Sequence, residues 1–427
     1  MNLLTLEPAS RAQGTLQLPG SKSLSIRALL LASLASGQTE LRNMLDSEDT
    51  QVMCAALKTL GLSLALTAEN TLTISGQTPY PVKEANIFVG NSGLSIRTLC
   101  AVLARMPGRF RLHGIPRMHE RPIADLVQSL SVFGAHIIYE KQAGYPPVVI
   151  KGNSDAPVEL ICVKGNASSQ YLTGLLQAAP LAARHHEVRI QVQGELISKP
   201  YVDMTLALMQ HFGVRVERQA YESFCVPQGS VYQSPGIYSV EGDASSASYF
   251  LAAAVLGRGP LRVEGVGRQS WQGDVEFARF LQTVGAQISW GENWIEASGT
   301  GAIKAFDQDF NHIPDAAMTA AVMALFAPAP CTLRNIGSWR VKETDRLSAM
   351  ANELRKCGAQ VVEDKDSLHI VPPERILPAR IATYKDHRMA MSFSLARFGG
   401  SPITIEEPEC TAKTFPKFFD VMKDLVA

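Results

Sequence analysis

The sequence predicts a two-domain α/β protein built from six copies of one unit, on three observations. Six small polar turns each follow a strand-like apolar run and open an Ala- and Leu-rich helix. The turns recur at a near-constant interval: through Ser21, Asn91, Asn166, Asp243, Asp315 and Asp386 the steps are 70, 75, 77, 72 and 71 residues. Such a period is an internal repeat, which fixes architecture before any side chain is read. Finally, 427 residues at 46% hydrophobic and 19% charged can bury two substantial cores.

Each unit follows one plan. The turns are Gly20-Ser21-Lys22-Ser23, Gly90-Asn91-Ser92-Gly93, Gly165 to Ser169, Gly242 to Ser246, Pro314 to Ala317 and Lys385-Asp386-His387-Arg388. Between them a second, amphipathic helix is expected to stop at Gly61, Gly134, Gly213, Gly285 and Gly358, because glycine past a helix adopts left-handed backbone without a Cβ penalty. Each unit thus reads as strand, helix, strand, helix, then one or two strands. The last copy is cut short at Met422 to Leu425.

Composition excludes several function classes. Forty basic and forty acidic side chains give zero formal net charge, so any anion site is local and bulk nucleic-acid binding is not expected. No apolar run reaches the roughly twenty residues of a membrane span, and the N-terminus lacks signal-peptide regions. The seven cysteines form no Cys-x-x-Cys pair and mostly fall in apolar runs, which predicts buried thiols in a reducing cytoplasm. The nine histidines are scattered without metal-ligand spacing, so no metal is expected.

Helix starts leave backbone N–H groups unpaired and concentrate positive charge, which makes them anion sites when small residues allow close approach. Ser, Asp and Asn there also serve as N-caps, and both readings stand for each turn. Lys22 lies within the first turn beside two hydroxyls, with Arg27 one helical turn on. This is no Walker A loop, because Ser21 stands where Gly must precede the lysine. Ser168-Ser169-Gln170 supplies three adjacent donors, whereas Ser245-Ser246 has no basic neighbour and reads as structural.

Charge gathers later in the chain. Trp339 to Arg346 packs three cations and two carboxylates into eight residues, with Lys342 and Arg346 at i and i+4 and so expected on one side. Asp386-His387-Arg388 opens the sixth turn's helix, and Lys413 stands at the entrance of the last helix. Arg121 precedes Pro122 at a helix start, a favoured place for proline. Asp315 occupies the fifth turn, as an N-cap or as a general base in a cationic cleft.

Together Leu18 to Ser23, Gly90-Asn91, Arg117 to Ile123, Arg340 to Leu347 and Asp386 to Ala390 resemble the enolpyruvylshikimate-phosphate synthase family from end to end. The resemblance implies two similar domains, each of three βαβαββ units around a pseudo-threefold axis, an inside-out α/β barrel. Residues 1–20 with 241–427 would form one domain and 21–240 the other, with the active site in the cleft between them. It implies transfer of the enolpyruvyl group of phosphoenolpyruvate to the 5-hydroxyl of shikimate 3-phosphate, with release of phosphate, in the shikimate pathway of aromatic amino-acid biosynthesis. The expected state is a cytoplasmic monomer without cofactor, closing when both substrates bind.

Residue by residue, the resemblance assigns shikimate 3-phosphate to Lys22, Ser23, Arg27, Ser168, Ser169, Gln170, Ser198, Tyr201, Asp315, Ser338 and Lys342. It assigns phosphoenolpyruvate to Lys22, Asn91, Gly93, Arg121, Gln170, Arg346, His387, Arg388 and Lys413. Asp315 would take the hydroxyl proton, and Glu343 with Lys22 would manage the proton on the methylene carbon.

The chain departs from the family at Ile26 and Ser338, where Asn is usual, at Leu94, where Thr is usual, and at Thr98, where Pro is usual. Leu94 and Thr98 adjoin the expected phosphoenolpyruvate pocket, which motivates an expectation of insensitivity to the bulkier inhibitor glyphosate. Leu24 to Arg27 and Leu94 to Arg97 are the same tetrapeptide. The alternatives are a divergent paralogue with an altered acceptor and a non-catalytic phosphometabolite-binding protein. A UDP-N-acetylglucosamine enolpyruvyl transferase is disfavoured, because no cysteine lies between Cys100 and Cys162.

Overall fold

The computed structural model describes residues 2–427. The chain divides into two compact units, one formed by the segment ending at Pro19 together with Glu241–Ala427, the other by Gly20–Val240. Among the described residues there are twelve α-helices: α1 (Lys22–Leu34), α2 (Glu48–Thr59), α3 (Gly93–Leu103), α4 (Ala124–Leu130), α5 (Ser169–Ala178), α6 (Lys199–His211), α7 (Ala244–Leu256), α8 (Glu276–Thr283), α9 (Ala317–Met323), α10 (Arg346–Lys356), α11 (His387–Phe393) and α12 (Phe418–Leu425).

The odd-numbered helices are those opened by the six turns, and they are buried nearly all round. A helix apolar on every face belongs in a core, so each unit is organised about three such helices. Helices α3 and α5 meet closely at Gly174, where a Cβ would stand 3.0 Å from the Arg97 carbonyl oxygen. The even-numbered helices bury one face each, as α8 does with Phe277, Ala278, Phe280 and Leu281. The five glycines expected to stop them all have positive φ, from 67° at Gly134 to 106° at Gly285.

Each unit carries three sheets. In one, Glu84–Phe88 runs parallel to Gly108–His113, which pairs antiparallel with Val148–Gly152, itself paired with His136–Tyr139. With α3 and α4 this is a complete βαβαββ module. The sheets beginning at Leu160–Lys164 and Asp307–Asp309 repeat the pattern.

The other three modules take in strands distant in sequence, and the sixth, at the end of the chain, has three strands instead of four. Ile237–Ser239 pairs with Gly37–Arg42, Gly14–Gln17 with Leu261–Glu264, and Leu3–Leu6 with Ile403–Glu406. The strand before the first turn therefore belongs to the module of α7, not of α1, so the sequence repeat and the structural module are offset where the chain passes between units.

Several local expectations need correction. Lys342 lies in extended backbone before α10, whose cap is Asp345, so it shares no helical face with Arg346. Ile123 caps α4, which puts Pro122 ahead of the helix. Lys413 ends a 3-10 turn, Pro408–Lys413, rather than opening α12. Cys100, Cys331 and Cys357 are buried, but Cys162 is exposed because its side chain alternates outward on the strand Leu160–Lys164. Among the described residues no helix is long and apolar enough to cross a membrane.

Candidate functional site

In the unit containing Glu241–Ala427, the fifth and sixth turns meet the start of α10. Ala316, not Asp315, occupies the cap of α9, which releases the Asp315 carboxylate from backbone duty. Its Oδ1 accepts from Arg346 Nη1 at 2.9 Å and lies 3.8 Å from Lys342 Nζ, while Oδ2 accepts from Arg388 Nη2 at 2.9 Å.

Arg346 is the hub. Its side chain is 1% exposed, and besides Asp315 it donates to Glu343 Oε2 at 2.9 Å, to Asp386 Oδ2 from Nε at 2.7 Å and to Asp386 Oδ1 from Nη2 at 3.3 Å. Asp386 also caps α11 by accepting from Arg388 N at 3.0 Å, and His387 Nδ1 lies 3.5 Å from its Oδ1. Arg388 Nη1 reaches the buried Tyr249 hydroxyl at 3.2 Å.

The electrostatics follow from this packing. Burial alone would raise the Asp315 carboxyl, but Arg388, Lys342 and Arg346 outweigh it and hold the group well below the usual carboxylate range. Burial alone would lower Arg346, and Asp386, Glu343 and Asp315 outweigh that, fixing its positive charge. The Tyr249 hydroxyl is pushed up to about 12, mainly by burial, so it stays a neutral partner for Arg388.

In the unit Gly20–Val240 a second group forms. Ser21 caps α1, and Lys22, its first residue, lies 3.7 Å from Asp49 Oδ2. Arg27 is buried, donating to Ser23 O at 3.0 Å, Thr205 Oγ1 at 2.9 Å, Thr173 Oγ1 at 3.5 Å and Tyr201 O at 3.4 Å. Burial brings it down to about 10, still charged at neutral pH. Ser198 caps α6 with left-handed backbone, φ 54°.

Ser168 caps α5 by accepting from Gln170 N at 3.3 Å, beside the buried Ser169. Gln170 Oε1 accepts from Arg97 Nη1 at 2.5 Å. Arg121, buried, donates to Asn91 O at 2.9 Å and Asn91 Oδ1 at 3.3 Å. A Cβ on Gly93 would stand 2.8 Å from Arg121 Cζ and 2.9 Å from Arg97 Nη1, so any side chain there would have to displace the two guanidinium groups.

Thus Asp315, Lys342, Glu343, Arg346, His387 and Arg388 form one group, and Asn91, Gly93, Arg121 and Gln170 another. Lys413 is buried, and Ser338 sits half-buried in the 3-10 turn Gly337–Val341, outside the first group's hydrogen bonds. Sequence reasoning missed Asp386, Arg97, Asp49 and Tyr249. The shared tetrapeptide was the signal for Arg97: like Arg27 it is buried, bonds the carbonyl four residues back (Gly93 O, 3.5 Å) and reaches a neighbouring helix. Nothing in the sequence around Tyr249 points to Arg388.

Among solved structures, the fold matches EPSP synthase from Acinetobacter baumannii, TM-score 0.80 at 24% identity over 99% of this chain and 98% of that one. It also matches the enolpyruvyl transferase NikO from Streptomyces tendae, TM-score 0.77 at 18% identity over 100% and 98%. The fold is therefore that of the enolpyruvyl transferases, with two domains of three βαβαββ units. A family profile described as EPSP synthase (3-phosphoshikimate 1-carboxyvinyltransferase) matches residues 6–422. Curated proteins named 3-phosphoshikimate 1-carboxyvinyltransferase are similar throughout: 55% identical in Herminiimonas arsenicoxydans over 97% of this chain and 96% of that protein, and 54% in Cellvibrio japonicus over the whole of both. The chain belongs to the EPSP synthase family of transferases.

The depressed Asp315 carboxyl gives a signed prediction. A carboxylate whose folded pKa is lowered contributes stability above its unfolded value, lost as pH falls through the folded value. Asp315→Asn is expected to cost roughly 3 kcal/mol, the low end for a broken buried pair because Glu343 and Asp386 still face Arg346. Urea unfolding of both proteins across pH should show the full difference from pH 8 to about 5, shrinking below about 4.

Proposed function

We propose that this chain transfers the 1-carboxyvinyl group of phosphoenolpyruvate to the 5-hydroxyl of shikimate 3-phosphate by addition and elimination. The observation that carries the reading is Asp315: not a cap, held ionised by three cations, and beside a second carboxylate, Glu343.

A proton is added to the methylene carbon of phosphoenolpyruvate, which makes the neighbouring carbon electrophilic. The acceptor oxygen bonds to that carbon as Asp315 takes its proton. Loss of a proton from the methyl group so formed then restores the double bond while the carbon–oxygen bond to phosphate breaks. Glu343 and Lys22 serve the methylene proton. Arg121, Arg346, Arg388 and Lys413, all buried, hold phosphate and carboxylate charge, and this fixed electrostatic holding supplies the larger share of catalysis. Ser23, Arg27, Ser168, Ser169, Ser198, Tyr201 and Lys342 hold shikimate 3-phosphate, with Ser338 the contact of shorter reach.

Leu94 and Thr98 bear on inhibitor choice. Both are buried, and the Thr98 hydroxyl donates to Leu94 O at 3.0 Å, a back-bond to the preceding turn that bends helices. The turn so affected begins at Gly93, against Arg121 and Arg97, and a displaced helix start there would reject glyphosate while admitting phosphoenolpyruvate.

A phosphate-release assay with both substrates should show turnover, and Asp315→Asn should lower kcat by about 10²–10⁴-fold. Binding without phosphate release would identify a non-catalytic binding protein, and turnover only with another acceptor a divergent paralogue. With glyphosate as competitor the natural chain should resist inhibition, and Leu94→Thr with Thr98→Pro should become at least tenfold more sensitive. Ordinary sensitivity of the natural chain would remove the inhibitor proposal.

A further inference from the structure

Helix α10 begins at Arg346, which grips Asp386, and carries Glu353 seven residues later, on the same face two turns along. Glu353 is fully buried, and outside the proposed chemistry. Its Oε2 accepts from Ala382 N at 3.0 Å and pairs with Lys356 Nζ at 2.6 Å, and its Oε1 accepts from the Tyr384 hydroxyl at 2.8 Å. One helix thus holds the segment from Ala382 to Asp386 at both ends.

That segment is conformationally unusual. Tyr384 and Lys385 are consecutive non-glycine residues with φ 53° and 55°, left-handed backbone that side chains bearing a Cβ disfavour. Such a conformation persists only where surrounding bonds over-determine it. Here the bonds are Glu353 on the near side, Asp386 N to Thr383 O at 2.8 Å within the turn, and Arg346 on the far side. The next residues, His387 and Arg388, start α11, and Arg388 is the partner of Asp315.

We infer that Glu353 is a positioning residue: by holding Ala382 N–H and the Tyr384 hydroxyl it imposes the left-handed Tyr384–Lys385 turn, which sets Asp386 and Arg388 for the reaction. The Tyr384 hydroxyl, pushed up to about 12 by burial and by its bond to Glu353, remains a donor throughout the working range. A carboxylate is required because two donors and an ammonium converge on it; the amide of glutamine offers only one acceptor oxygen.

The kinetic consequence rests on the proposed enolpyruvyl transfer, and the test separates the two. Full-length Glu353→Gln should keep a cooperative thermal transition within a few degrees of the natural chain. Its kcat/KM for phosphoenolpyruvate should fall tenfold or more, while KM for shikimate 3-phosphate changes less than twofold. Hydrogen exchange at Ala382 should quicken tenfold or more. Tyr384→Phe, which removes one of the two bonds, should move the same quantities less and add nothing to Glu353→Gln. Unchanged exchange, or both KM values rising together with lost stability, would overturn the inference. If the natural chain releases no phosphate, the functional reading fails, and the exchange at Ala382 still decides the role of Glu353.

Discussion

The buried Arg346 guanidinium and the three carboxylates it joins are the constraint on which the rest of this unit's chemistry depends. A charge without water costs several kcal/mol unless its donors are matched, and Arg346 matches them with Asp315, Glu343 and Asp386, drawn from three separate segments. The requirement ties the fifth turn, the approach to α10 and the sixth turn into one arrangement. Arg346 also adds to Arg388 and Lys342 in keeping Asp315 ionised against the upward push of burial.

The two groups of functional residues differ in charge. In the Arg346 group three cations, Lys342, Arg346 and Arg388, face three carboxylates, Asp315, Glu343 and Asp386, so their formal charges cancel. In the other unit Lys22 lies 3.7 Å from Asp49, whereas the buried Arg27, Arg97 and Arg121 donate to backbone carbonyls and to hydroxyl and amide oxygens. A self-neutralised group suits proton transfer, because its carboxylates stay available as bases. A net positive group suits the holding of phosphorylated substrates. A formal charge of zero over the chain therefore hides a local asymmetry.

Much of this was legible in the sequence because helices and their stops are local. The repeat spacing found all six buried helices, and the glycines found where the second helices end. Lys22, Arg121, Arg346 and Arg388 could be singled out in the sequence because they sit at or near helix starts, with Arg27 a turn further into α1. What escaped depends on contacts between distant segments. The resemblance implied that residues 1–20 join 241–427, but the particular pairings, Leu3–Leu6 with Ile403–Glu406 and Gly14–Gln17 with Leu261–Glu264, are encoded by no local pattern. Lys342 and Arg346 do meet at Asp315, but through extended backbone rather than a helical face. Asp315 was ambiguous in sequence because a cap and a base use the same residue type; the one-residue offset of α9 separates the two roles.

Arg346 and Asp315 belong to one hydrogen-bonded device, so their contributions to turnover should not add. The direct measurement is a double-mutant cycle on kcat/KM for phosphoenolpyruvate with Asp315→Asn, Arg346→Lys and the pair. If the two residues act as one, the double variant should be little worse than the poorer single variant. Losses that multiply fully in the double variant would show that the two residues act independently, and would contradict a single device.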